Sequence, residues 1–573
     1  MSTNDPFFAN RSDFSEFEPI ELKGPIDPSV LSLLAGEFFG PLPMNGGTGV
    51  EELILSNRVS SSKPIIQTSP PADADKILQS GYNLELQESD YQRIPEEFFP
   101  GTSVPSFPGG LTSANVGTQA PTFSTSFSFL EDIRSFVPQK QDLRLEDPFR
   151  LQPNSIPNVD LSSGSFDISS LKKDFPILNE RVNGRDLVWL DNAATTHKPR
   201  IVIDRISAFY EHENSNIHRG AHTLAARATD AYEAAREKSA KFLNASSAKE
   251  IVFVRGATEA INLVAQTWGV KNIKKDDEII ITWLEHHANI VPWQMLCAQK
   301  GARLKVVPVD ETGQVILTEY ERLLSPRTKL VSLTQVSNAL GTVTPAAQMI
   351  EQAHRFGAKV LVDGAQAVSH MPIDVQTLDC DFYVFSGHKV FAPTGIGVLF
   401  GKSEVLDSMP PWQGGGNMIE DVTFEKTVYQ PAPFRFEAGT GNIADAVGLG
   451  AAIDYLNQIG MRNVADYEHS LLDYGISQLQ RVPGLRLIGT AKEKAGVLSF
   501  VMDGFKTEDV GRFLNREGIA VRSGHHCAQP ILRRFGLEST VRPSLALYNT
   551  CEDIDALINA LFDLRGGRTA GPL

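Results

Sequence analysis

From about residue 166 onward, short apolar runs alternate with helix-like stretches, and each run ends in small or polar residues. Runs of this kind read as strands buried on both faces. Their alternation with helical patterns predicts an α/β architecture built on a mainly parallel sheet. The runs are Ile251–Val254, Glu278–Thr282, Leu330–Thr334, Lys359–Asp363 and Cys380–Phe385, with a further strand expected from Val188. In open parallel sheets the strand exits share one edge, and ligands bind along it. The residues standing at those exits therefore carry the functional reading.

After Ile251–Val254 come Arg255, Gly256, Ala257 and Thr258, opening a helix. Free amides there, with Gly256 allowing close approach and Thr258 adding a hydroxyl, form either an anion cradle or a simple helix cap. Glu285-His286-His287 follows the second run. The His286 ring could stack on a flat cofactor, cap a surface helix or ligate a metal. No Cys/His partner at zinc-like spacing accompanies it, which argues against metal. Asn338 stands past the third run. Asp363 ends the fourth, with Gln366 three positions on. An acid there can pair with a protonated pyridine nitrogen, or cap a helix.

Ser386-Gly387-His388-Lys389 closes the fifth run. Taken alone, Lys389 reads as a turn lysine whose ammonium snorkels to water. Beside an anion cradle, an aromatic ring, an acid and a glutamine at neighbouring exits, it reads as the lysine that bonds an aldehyde cofactor. The set describes a pyridoxal-phosphate site. Asn216-Ile217-His218 follows a helix-like stretch and leads into a helix expected over Thr229–Leu243.

Longer motifs carry a family resemblance over roughly residues 166–573. They are Asp191-Asn-Ala-Ala-Thr-Thr, Asn216-Ile-His-Arg-Gly, Glu285-His-His-Ala-Asn-Ile-Val-Pro-Trp-Gln, Val362-Asp-Gly-Ala-Gln-Ala, Phe385-Ser-Gly-His-Lys, Arg435-Phe-Glu-Ala-Gly-Thr and Arg522-Ser-Gly-His-His-Cys-Ala-Gln-Pro. The chain resembles the fold-type I pyridoxal-phosphate enzymes, specifically the Suf-type (group II) cysteine desulfurases. That resemblance implies a large domain with a mainly parallel seven-stranded sheet and a smaller α+β domain. The boundaries expected are 164–188 and 457–573 for the small domain and 189–456 for the large one.

The resemblance also implies roles. Lys389 would bond the cofactor and move the substrate Cα proton. His286 would stack on the ring, Asp363 would pair with its nitrogen and Gln366 with its phenolic oxygen. Thr258, Ser386 and His388 would hold the phosphate. Thr440 would reach the phosphate of a neighbouring subunit, which implies a homodimer. Asn338 and Arg542 would take the substrate carboxylate, a task suited to the planar fork of arginine. Family members often carry Cys-Arg-Ala-Ser-Leu around that arginine, where this chain has Val541-Arg-Pro-Ser-Leu. Arg522 and His218 would lie near the active site. Cys527 would attack the sulfur of L-cysteine, leaving a persulfide and alanine. A basic surrounding favours a reactive cysteine, and His525, His526 and Arg522 are its sequence neighbours. Its loop is short, which implies that a SufE-like or SufU-like acceptor must approach it. Selenocysteine lyase activity is the nearest chemical alternative. A non-catalytic scaffold would be marked by loss of Lys389 or Cys527, and both are present.

The first 160 residues differ in texture. They hold 10 Lys+Arg against 22 Asp+Glu, 18 of the 34 prolines and 14 of the 32 phenylalanines, with no histidine, tryptophan or cysteine. Such a chain buries too little apolar area to offset its backbone entropy, so residues 1–163 are expected to be a disordered extension. Only Pro28–Phe39 and Phe127–Phe136 have the pattern of short helices. Clusters such as Glu37-Phe38-Phe39 and Glu97-Phe98-Phe99 read as spaced apolar anchors for multivalent docking, or as segments that fold back on the body. They resemble the cargo-loading segments of cysteine desulfurases packaged in family 2A encapsulin shells, which implies a shell protein as partner for residues 1–160.

The net charge of −16 argues against nucleic acid and anionic membranes as partners. No apolar run is long enough to span a bilayer, and the N-terminus lacks the pattern of a secretory signal. The four cysteines show no paired spacing, which suits a reduced cytosol. The resemblance of the extension implies a place inside an encapsulin nanocompartment there.

Overall fold

The computed structural model describes residues 168–218 and 222–567. The extension and its short helix-like stretches lie outside the described residues, as do Arg219, Gly220 and Ala221 of the Asn216 motif.

Seven strands form the central sheet: β1 (Ile251–Val254), β2 (Glu278–Thr282), β3 (Arg303–Val307), β4 (Thr328–Thr334), β5 (Lys359–Asp363), β6 (Phe382–Ser386) and β7 (Gly397–Gly401). Their spatial order is β1-β7-β6-β5-β4-β2-β3. β7 pairs antiparallel with both β1 and β6, and every other pairing is parallel. Six strands therefore point one way and their exits share one edge. Apart from edge strand β3, these strands are buried almost throughout, which is why they read as continuous apolar runs rather than alternating ones.

The sequence places β1, β2 and β5 at their observed bounds. The run expected from Val188 forms a strand over Val188–Trp189 only, because the next residues turn into loop contacts. The helix expected from Thr229 begins at Thr223, where the His222 ring accepts the Ala225 N–H and caps it. A histidine is an uncommon cap, so the six-residue shift was not legible in propensities.

Three helices, α1 (Arg200–His212), α2 (Thr223–Phe242) and α3 (Ile443–Ile459), pack together, with α3 buried along most of its length. A buried ion pair ties α2 to the sheet. The Arg236 guanidinium meets the Glu437 carboxylate at 2.6 and 2.9 Å, and Glu437 also accepts the Phe253 N–H. Two-point geometry with the remaining lone pairs satisfied is what makes such a pair tolerable inside a protein.

The C-terminal part forms a second sheet of β8 (Leu485–Leu487), β9 (Phe500–Met502), β10 (Arg522–Gly524) and β11 (Thr540–Arg542), in the order β8-β9-β11-β10. The N-terminal segment joins this part. Val188–Trp189 pairs in parallel with Ile519–Ala520, and Asp191 bridges to Ser544. Among the described residues, no helix is long and apolar enough to cross a membrane.

Candidate active site

A cavity of about 470 Å³ opens where the exits of the central sheet meet β10, β11 and the turn after β10. It is lined by Thr258, His286, Asn338, Asp363, Gln366, Ser386, His388, Lys389, Arg522, Cys527 and Arg542. Eleven of the thirteen residues singled out from the sequence thus face one space, although they are spread from Thr258 to Arg542 along the chain.

The sheet explains the convergence. Thr334, Asp363 and Val384 are direct neighbours across β4, β5 and β6. Asp363 is buried and accepts the Ala365 N–H at 3.0 Å. Burial holds its carboxyl above the ordinary range, and the Lys389 ammonium works in the opposite sense. Lys389 ends a single turn of 3-10 helix that follows β6 directly. Burial lowers its amine to about 8, with Asp363 and Cys527 raising it and Arg542 lowering it. At pH 7 roughly a tenth of Lys389 is then the free base that a carbonyl compound needs, far more than for an ordinary lysine.

The turn between β1 and the helix Ala257–Val264 lies against the lysine turn. Ser386 Oγ accepts the Ala257 N–H at 2.9 Å, so one of the free helix amides is already satisfied. A Cβ on Gly256 would stand 3.0 Å from Ser386 Oγ, which is why a glycine suits this crossing. His286 Nδ1 accepts the Ala288 N–H at 3.0 Å, so the ring carries its hydrogen on Nε2. Burial, and then the Lys389 charge, lower its pKa to about 3, leaving a neutral flat ring over the cavity. His388 is likewise held neutral, at about 4, chiefly by burial, with Nδ1 3.2 Å from Thr195 Oγ1. Gln366 Nε2 donates to the Ala193 carbonyl at 2.6 Å.

Opposite the sheet, Arg542 is 2 % exposed. Its Nη1 donates to the Asn338 carbonyl at 2.9 Å and its Nη2 to Asp191 Oδ1 at 3.3 Å. Its Nε is buried without a protein partner, as is Asn338 Oδ1. The Asn338 amide nitrogen donates one of its two hydrogens to the His526 carbonyl at 2.7 Å. Arg542 therefore keeps Nε–H and the second hydrogen of each terminal nitrogen for a carboxylate, and Asn338 keeps one N–H and its Oδ1.

Cys527 is exposed in the short turn between β10 and the helix Gln529–Arg534. Both His526 and Cys527 adopt left-handed backbone angles, with φ of 53° and 52°. Non-glycine residues rarely do so, and two in succession turn the chain sharply at the cavity rim. The basic sequence neighbours have partners of their own. His526 is buried against Thr540 Oγ1 at 2.8 Å, and its pKa falls to about 2, so it carries no charge. His525 Nδ1 accepts the Cys527 N–H at 3.0 Å. Arg522 is paired with Asp191 at 3.0 Å. Lys389 and Arg542, distant in sequence, both interact electrostatically with Cys527 across the cavity.

Thr440 and His218 do not line this cavity. Thr440 is exposed, 3.5 Å from Asn216 Oδ1. His218 is held by Glu233 at 2.8 Å and packs edge-on against Tyr232 and Phe434. Asp191, which clamps both arginines, received no role from the sequence. Its available signal was an acid just past a strand, within a motif already singled out.

The aminotransferase class-V family model matches residues 188–557. The chain belongs to the class-V aminotransferase family, among its cysteine desulfurases. It is 63% identical over 482 residues to a cysteine desulfurase of Synechococcus elongatus, covering 83% of this chain and 76% of that one. It is 62% identical over 404 residues to a probable cysteine desulfurase of Mycobacterium leprae, covering 70% and 66%. The crystal structure of the cysteine desulfurase CsdA from Escherichia coli superposes with a TM-score of 0.65 at 42% identity, covering 69% of this chain and 98% of that one. The apo cysteine desulfurase from Thermococcus onnurineus gives 0.67 at 36%, covering 70% and 98%. The family uses pyridoxal phosphate, and the cavity fits it: a buried acid, a neutral ring, a lysine of lowered pKa and a helix start converge there.

Proposed function

We propose that this cysteine desulfurase converts L-cysteine to L-alanine and takes the sulfur on Cys527 as a persulfide. The observation that carries this reading is the placement of Lys389 and Cys527, 138 positions apart, on one cavity. Bound pyridoxal phosphate supplies an electron sink for the substrate's carbon skeleton. The chain does the rest. Asp363 would pair with the ring nitrogen, His286 would lie against the ring and Gln366 would meet the phenolic oxygen. Thr258, Ser386 and His388 would hold the phosphate. Arg542 takes the substrate carboxylate, and the second hydrogen of the Asn338 amide adds a donor beside it. Lys389 Nζ removes the proton from the substrate Cα. Cys527 Sγ, as thiolate, attacks the substrate sulfur. The C–S bond breaks as the S–S bond forms, its electron pair stays with the carbon skeleton, and the skeleton takes up a proton at Cβ and one back at Cα to leave as alanine. Without an acceptor, incubation with L-cysteine should deposit one sulfur per active site, on the peptide bearing Cys527, with alanine in equal amount by mass spectrometry. Alanine formed with no sulfur on that peptide would defeat the reading.

The short turn that carries Cys527 supports the Suf-type (group II) assignment, with a SufE-like or SufU-like acceptor reaching the rim. The exposure of Thr440, outside its own cavity, supports service to a second subunit in a homodimer. The pairing of Val188–Trp189 with Ile519–Ala520 supports a small domain of 164–188 with 457–573, against a large domain of 189–456.

The extension is read as a cargo-loading segment for an encapsulin shell. Residues 168–573 make up only about seven-tenths of the chain. The match to the Synechococcus elongatus relative, at 83%, therefore runs well into the extension. Deleting residues 1–160 should leave turnover of L-cysteine within about twofold, because every site residue lies beyond them, and abolish co-purification with a co-expressed shell. Packaging of the truncated enzyme would remove the tethering role.

A further inference from the structure

The carboxylate reading of Arg542 leaves Asp191 unexplained. Asp191 is 9 % exposed at the exit of the Val188–Trp189 strand. Its Oδ2 accepts from Arg522 Nε at 3.2 Å and Nη2 at 3.0 Å, and its Oδ1 from Arg542 Nη2 at 3.3 Å. One carboxylate thus stands between two guanidiniums. Its backbone is held independently of those pairs. Ser544 N donates to the Leu190 carbonyl at 2.7 Å, Ser544 Oγ accepts the Ala193 N–H at 2.9 Å, and Asn192 Nδ2 donates to the Ser544 carbonyl at 2.6 Å. Asp191 is therefore a fixed post against which Arg542 is aimed, with Nε left unpartnered.

Charge makes the arrangement specific. Two arginines and one aspartate leave one net positive charge, which matches one substrate carboxylate. Building on the carboxylate role of Arg542, we propose that Asp191 is a positioning residue. It sets the pose and the charge of the Arg542–Arg522 pair, and through them the enzyme's preference for ligands that bear a carboxylate.

The groups acting on Arg542 come from several elements. Asp191 raises its proton affinity and Arg522 lowers it, while burial is the largest influence and brings it to about 10. Lys389 and His286 face it from the sheet exits, and His526 and Cys527 from the turn after β10. Removing Asp191 leaves the two guanidiniums with no carboxylate between them.

The test titrates the holoenzyme's visible absorption band with L-alanine and with ethylamine, the same amine lacking the carboxylate. Asp191→Asn should weaken L-alanine about tenfold or more and ethylamine less than about twofold, since one charged contact is misplaced. Asp191→Glu should restore part of the preference. Equal weakening of both ligands by Asp191→Asn would overturn the proposal. If Asp191→Asn does not fold, Asp191→Glu is read alone: it should weaken L-alanine more than ethylamine, and equal weakening of the two would overturn the proposal. Arg542→Gln separates the two readings. If it abolishes the L-alanine preference while Asp191→Asn leaves it intact, only the Asp191 role fails. If it leaves the preference intact, the carboxylate reading falls and takes this proposal with it.

Discussion

Lys389→Ala should reduce alanine formation from L-cysteine by on the order of 10⁴-fold, the upper range for loss of a positioned proton-transfer group. Lys389 Nζ is the amine on this cavity whose proton affinity is brought down, to about 8, by burial beside Asp363. The loss should fall on kcat much more than on KM, because Arg542 and the phosphate-binding turn are untouched. The variant should still bind pyridoxal phosphate through Asp363, His286, Ser386 and the start of the Ala257–Val264 helix. Borohydride should fix cofactor to the parent protein and not to the variant. Turnover within tenfold of the parent, or cofactor fixed at another lysine, would show that Lys389 is not the base. Lys198 is the control for a general charge effect. Burial also lowers its amine to about 8, yet it is tied to the backbone carbonyl of Thr196 and does not line the cavity. Fixation at Lys198 would therefore be informative.

Cys527→Ala should keep the bound cofactor and its spectrum while sulfur transfer to an acceptor falls to background. The turn is held by its backbone as much as by its side chain. The Cys527 N–H donates to His525 Nδ1 and the Cys527 carbonyl accepts the His287 N–H at 2.8 Å. The exposed thiol makes no hydrogen bond needed for folding, so thermal stability should change by less than about 1 kcal/mol, as at other exposed sites. An uncompromised stability together with lost sulfur transfer would assign the effect to chemistry. Rapid persulfide formation on another cysteine of the variant would sink the nucleophile role. The described alternatives are poorly placed for it. Cys297 and Cys380 are buried, and burial pushes the Cys297 thiol up to about 11 and the Cys380 thiol higher still. Cys551 is exposed, but it starts the C-terminal helix, away from the cavity lining.

Much of this site was legible in the chain because parallel sheets impose a simple rule. A residue just past a buried strand comes to the ligand-binding edge whatever the rest of the sequence does. Thr258, His286, Asn338, Asp363, Gln366, Ser386 and Lys389 all follow that rule. His218 and Thr440 do not stand at such exits, and a single chain does not bring them to the cavity. The charge around Cys527 was left open by the sequence for a different reason. His525, His526 and Arg522 are its sequence neighbours, yet the turn sends His526 inward to Thr540, where burial keeps it neutral. Neighbourhood along the chain says little about neighbourhood around a sulfur atom once two left-handed residues reverse its direction.

The sequence by itself determined the alternation of strand and helix, the identities at the strand exits and the contrast between the acidic, phenylalanine-rich extension and the body. These are local properties, encoded in runs of a few residues. Tertiary structure alone decided what Arg542 faces. Asp191, Arg522 and Arg542 meet across separations of 331 and 351 positions, and such contacts leave no periodic trace in the chain. Their geometry follows from the N-terminal segment being stitched to Ser544 and Asn549, which sets one buried carboxylate between two guanidiniums.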